Sequence, residues 1–131
     1  MNKKLINPPE LYDGAAFGMS QAVVDTRSGL IFLSGQVDLD RQYETTEKSV
    51  EGQMQKALAN LKIALANAGS SIDKLLRVRI YIRGEFGEHT NALVPIVTDF
   101  FGESRPAMTW IGVASLASPE ILVEVEAVAF C

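Results

Sequence analysis

Residues 121–130 read ILVEVEAVAF. Successive side chains of a strand point to opposite faces, so Ile121, Val123, Val125, Ala127 and Ala129 line one face and Leu122, Glu124, Glu126, Val128 and Phe130 the other. The first face is pure core. The second mixes two carboxylates with three apolar side chains, a pattern that predicts a cleft or a subunit interface where the charges meet partners, not a plain solvated surface.

The segment 75–83, LLRVRIYIR, repeats this two-faced design. Val78, Ile80 and Ile82 fall on one side; Arg77, Arg79, Tyr81 and Arg83 fall on the other. The arginines of this strand and the glutamates of 121–130 therefore share a sheet face, and Glu126 is expected to pair with Arg79 or Arg83. A lone subunit would leave Leu122, Val128 and Phe130 wet on that face, so a second copy is expected to cover it.

The remaining elements follow from periodicity. Segment 17–40 gives two short apolar runs around the turn-rich DTRSG, a β-hairpin with strands at about 19–25 and 30–37. Gly35 inside the second run marks a bulge or a close approach to the backbone. Apolar residues at three- and four-residue steps predict a helix over 47–68, ended by Gly69. A second helix fits 92–101, with Pro95 tolerated in its first turn. Two strands, 107–116 and 121–130, close the chain through ASPE. The order ββαβαββ predicts an α+β domain over 1–131, a mixed β-sheet with both helices on one face.

The chain has 131 residues, 47% of them hydrophobic, with 12 basic and 16 acidic residues and a net charge of -4. Mean hydropathy is +0.12 and the pI about 5.0. No basic patch is present to neutralise phosphates, so nucleic acid is not an expected partner. The single Cys131 excludes an internal disulfide framework and fits a reducing compartment. The start, MNKKLINPPE, lacks a secretory apolar core, and no run reaches the length of a membrane span, so the protein is expected to be cytoplasmic, with no membrane partner. One Cys, one His and no glycine-rich phosphate loop predict neither a metal nor another cofactor.

Four segments in order, FGMSQAV at 17–23, LSGQV at 33–37, RPAMT at 105–109 and VEVEAVA at 123–129, resemble the Rid/YjgF family of reactive-intermediate deaminases. Members also carry the older description of L-PSP-type endoribonucleases, and the resemblance runs over nearly the whole length. It implies a chorismate-mutase-like α+β subunit and a homotrimer with an inner β-barrel and three small-molecule clefts between subunits. In deaminating members water adds to the C=N bond of a small imino acid, and ammonia and a keto acid leave.

The same resemblance assigns site positions. Ser34 and Gly35 match the segment whose backbone lines the cleft, and Glu124 matches the acid that holds or activates the water, which makes it the candidate catalytic residue. Three further substrate-binding positions depart from the family pattern. The arginine that forks onto the substrate carboxylate is here Met108, the cleft tyrosine is Met19 and the cleft asparagine is Val94. Arg105 is an alternative anchor, but its odd offset points it away from Met108 if the segment is extended.

Plainer readings stand beside these. Glu124 could be an interface ion pair; Met19, Met108 and Trp110 could fill core or interface; the arginines of 77–83 could be salt-bridged; His89 reads as a surface residue and Cys131 as a spectator. Three function classes follow: a trimeric enzyme adding water to an imine or enamine other than a 2-imino acid, a non-catalytic trimer that binds a metabolite or protects proteins, and an endoribonuclease, which the acidic balance disfavours.

Overall fold

Alternation and pairing place six strands in one mixed sheet. The structure, a computed structural model, describes residues 2–131. The strands are β1 (Lys3–Ile6), β2 (Ala22–Asp25), β3 (Leu30–Gln36), β4 (Leu75–Arg83), β5 (Ala107–Val113) and β6 (Val123–Phe130), with helices α1 (Val50–Asn67) and α2 (Thr90–Phe101). Their order in the sheet is β1-β2-β3-β6-β4-β5. Only β4 and β5 are parallel, which requires a crossover, and α2 supplies it.

The last strand in sequence lies in the middle of the sheet, between β3 and β4. Its buried side, Val123, Val125, Ala127 and Ala129, meets Ile31 and Leu33 of β3, Val78, Ile80 and Ile82 of β4, and Met54, Leu58, Leu61 and Leu65 of α1 in the main core. Leu93, Val97 and Phe101 of α2 join the same core, so both helices cover one sheet face as the α+β reading expects.

Local chemistry explains the boundaries of α1. Ser49 caps its start by accepting the Gly52 N–H at 3.0 Å, and Glu51 sits favourably in the first turn. Gly69, at φ 83°, lets the chain leave the helix in a left-handed conformation, with the Ser70 N–H donating to the Leu65 carbonyl at 2.9 Å.

Several boundaries differ from the sequence reading: α1 starts at Val50 and β2 at Ala22, each three residues later than expected. Strand β1 was not anticipated, because four residues with two lysines, KKLI, carry too little alternation to register; it forms an edge strand against β2. Helix α2 begins at Thr90, so Pro95 lies in the second turn, not the first, and the Asn91 carbonyl loses its helical partner. Asn91 is exposed, where water can serve that carbonyl. Strands β5 and β6 end and begin earlier and later than expected, at Val113 and Val123. The connection must pass β4, which separates them, and ASPE alone is too short.

Gln53 ties α1 to the approach of β6. Only 1% exposed, its amide donates to the carbonyls of Glu47 at 3.0 Å and Glu120 at 2.7 Å and accepts the Leu122 N–H at 2.8 Å. Gln53→Leu leaves those buried groups unpaired, and urea unfolding is expected to show a loss of about 2–4 kcal/mol.

Candidate functional site

The face of the sheet away from the helices carries the charges. In register, Arg79 stands opposite Glu126 and Tyr81 opposite Glu124. Glu126 is engaged: Arg79 lies 3.8 Å away and the Tyr81 hydroxyl donates to it. Of the two arginines expected to pair with Glu126, Arg79 does; Arg83 instead donates to the carbonyls of Ser118 at 3.2 Å and Pro119 at 2.7 Å. Leu5, Phe32, Leu76 and Phe130 are exposed large apolar residues, with Phe32 opposite Val128 in register.

Glu124 takes part in neither contact of its neighbour. Its side chain lies over the backbone of Gly35 so closely that a Cβ there would stand 2.6 Å from the Glu124 Cδ and 2.8 Å from Cγ and Oε2. Both readings of Gly35 hold. The register slips between Leu33 and Gln36, a bulge, and the body that approaches the backbone is the Glu124 carboxylate. Burial raises the Glu124 pKa above that of an ordinary glutamate, and the Glu126 charge adds to the rise.

The bulge is held open by amides. Gln21 and Gln36 are buried at 0% and 1% exposure; the Gln36 amide donates to Gln21 Oε1 at 3.0 Å and to the Ser34 carbonyl at 3.1 Å, and Gln21 donates to the Tyr12 carbonyl at 2.8 Å. Ser34 turns its hydroxyl onto the Ser20 carbonyl at 2.6 Å and its N–H onto the Gln21 carbonyl at 2.9 Å, so its polar groups hold the bulge in place. Tyr12 completes this group. Its hydroxyl reaches Met19 Sδ at 3.8 Å; burial raises its pKa, against a hydrogen bond with Gln21, and the Glu124 charge raises it further. Met19 packs on the small cluster of Tyr12, Val37 and Ile121.

Met108 and Val94 lie elsewhere. They line a cavity of about 390 Å³ between α2 and the β5 edge, together with Arg105, Phe101 and Trp110. Met108 stands opposite Val78, on the helix side of the sheet, and the Trp110 Nε1–H points to its sulfur at 3.2 Å. The six expected positions thus form two groups in one chain: Met19, Ser34, Gly35 and Glu124, and separately Val94 and Met108. Arg105 corrects one expectation. Its backbone is left-handed, φ 45° and ψ 57°, so strand alternation does not reach it and it lines the same cavity as Met108. Such a conformation costs a non-glycine residue about 1–3 kcal/mol. Among the described residues no group of three or more His, Cys, Asp or Glu side chains is placed to hold a metal ion.

Comparison with known proteins places the fold in a family. Residues 14–131 match the family model described as Endoribonuclease L-PSP. The chain belongs to the Rid/YjgF family. RutC family protein UK114 of Drosophila melanogaster is 34% identical over 116 residues, covering 84% of this chain and 77% of that one. Protein mmf1, mitochondrial, of Schizosaccharomyces pombe is 27% identical over 97% of this chain and 75% of its own length. Among solved structures, the Rid family protein YyfA of Yersinia pestis, described as of unknown function, superposes with a TM-score of 0.88 at 26% identity, covering 98% of this chain and 99% of that one. This Rid/YjgF chain therefore has the chorismate-mutase-like α+β subunit that its sequence implied.

Sequence reasoning missed Tyr12 and the amides Gln21 and Gln36. Tyr12 sits in a loop, NPPELYDG, with no periodicity to read. The glutamines did leave a signal, each a polar residue within an apolar strand run. In this Rid/YjgF subunit the contact between Glu124 and Gly35 is directly testable. Gly35→Ala is expected to push the carboxylate aside by about 1 Å and slow any Glu124-dependent turnover roughly 100-fold, with the unfolding midpoint nearly unchanged, because the colliding atoms end a flexible side chain.

Proposed function

We propose that residues 1–131 form one domain that assembles as a homotrimer, the charged and apolar sheet faces packing inward as a barrel. A cleft for a small metabolite then forms where the Glu124–Gly35 group of one subunit meets the Val94–Met108 cavity of the next. The proposal accounts for two half-lined sites in one chain and for the exposed Phe32 and Phe130.

In this cleft Glu124 acts as general base toward a C=N substrate. It takes a proton from water as the oxygen forms a bond to the imine carbon. The proton passes to nitrogen, giving a carbinolamine; the new hydroxyl then gives its proton through Glu124 to the same nitrogen as the C–N bond breaks, and a carbonyl product and ammonia leave. The observation that carries this reading is Glu124 itself: half-buried, pressed on the Gly35 backbone and with a raised pKa, it is a stronger base than an ordinary glutamate.

Met108 offers no fork for a carboxylate, so compact 2-imino acids are poor substrates. The apolar walls around Met108 also favour a second reading, a trimer that binds its metabolite without turnover. RNA cleavage fits poorly with a net charge of -4. No helix among the described residues is long and apolar enough to cross a membrane; a reducing compartment, the cytoplasm in our reading, suits the exposed Cys131. Light scattering tests the assembly: a mass of three 14.3 kDa chains is expected, and a monomer sinks the shared cleft.

A further inference from the structure

The cavity between α2 and the β5 edge has apolar walls, Val94, Val97, Phe101, Met108 and Trp110, and one charged lining residue, Arg105. Among the described residues the only ion pair is Arg79–Glu126, so Arg105 is not consumed by a carboxylate of its own chain. Its left-handed backbone, locked on one side by Pro106, is a conformation glycine adopts with less strain. The fold needs the turn but not the guanidinium. At about 390 Å³ the cavity also exceeds what a two- or three-carbon acid would fill.

We infer that Arg105 is the anion anchor of this cavity, and that its ligand is an acid whose charged group is separated by an apolar body from the end that reaches the cleft. The anchor is displaced three residues along the chain from Met108, at most roughly 10 Å, which changes the substrate class from a 2-imino acid to an acid bearing its C=N group at a distance. The position of the reacting carbon rests on the proposed cleft; the binding of the acid at Arg105 does not.

Trp110, the only tryptophan of the chain, lines this cavity and packs edge-on to Phe86 at 5.6 Å, so its fluorescence reports occupancy. The full-length protein is titrated with 4-phenylbutanoate and with the neutral 4-phenylbutan-1-ol. Saturable binding of the acid at least 10-fold tighter than the alcohol is expected. Arg105→Gly is expected to weaken acid binding about 10- to 100-fold without lowering the melting temperature, since glycine relieves the backbone, while Arg105→Lys keeps part of the affinity. Equal binding of acid and alcohol, no saturable signal, or an Arg105→Gly variant that binds the acid as well as wild type overturns the inference. Acid binding with no ammonia release from any C=N substrate would sink the hydrolytic reading, and with it the C=N end of the ligand, but leave Arg105 standing as the anion anchor.

Discussion

Met108→Arg is expected to raise ammonia release from a compact 2-imino acid by about 30-fold or more over wild type. A charged bidentate contact to a desolvated carboxylate is worth about 2–5 kcal/mol, roughly 30-fold to several thousand-fold in affinity or rate. Met108 is part-buried against the main core but borders a cavity of about 390 Å³ that gives a longer side chain room; the fold loses some apolar packing and a Trp110 N–H contact to sulfur, a weak acceptor. The imino acid is generated in situ by an amino-acid oxidase, and ammonia and keto acid are measured together. An unchanged rate would mean that position 108 does not face the substrate's carboxylate.

Glu124→Gln, placed in the Met108→Arg background, is expected to remove that activity by a factor of about 100 to 10,000, the range for losing a general base. Its effect on stability separates a catalytic role from a structural one. Burial raises the Glu124 pKa in the folded state, with Glu126 contributing. Well below the ordinary carboxylate range the group is protonated folded or unfolded and costs nothing. As the pH rises through the raised folded value, the folded state alone resists ionisation, so Glu124 lowers stability at neutral pH relative to acid. Glutamine removes that cost. The variant should therefore melt no lower than its parent at pH 7, with the advantage vanishing in acid; a fall in melting temperature at pH 7 would mark Glu124 as a structural partner.

Much of this was legible in the chain because strand periodicity is a direct consequence of backbone geometry. The faces of 75–83 and 121–130, a helix over 47–68 that the structure shows at 50–67, and the meaning of Gly35 follow from side-chain direction and from the absence of a Cβ. Pairing was less legible. That β6 inserts between β3 and β4, and that β4 and β5 run parallel, depends on contacts between distant segments that no local pattern encodes. Arg105 was misplaced for a specific reason: alternation predicts a face only while the chain stays extended, and a left-handed residue resets it. Tyr12 was unreadable because a loop residue has no period, and its place beside Met19 and Glu124 is set entirely by tertiary packing.

In the trimer we propose, Glu124 of one subunit works with position 108 of another. Two chains test it: wild type, which has Glu124 but lacks the arginine, and the Met108→Arg, Glu124→Gln double variant, which has the arginine but lacks the base. Each is expected to be nearly inactive alone on 2-imino acids. Unfolded together and reassembled at equal amounts, they should recover activity, with about a quarter of the clefts combining both functional halves. If the mixed assemblies form and remain as inactive as their parents while the Met108→Arg homotrimer is active, the two halves belong to one subunit and the shared cleft is wrong.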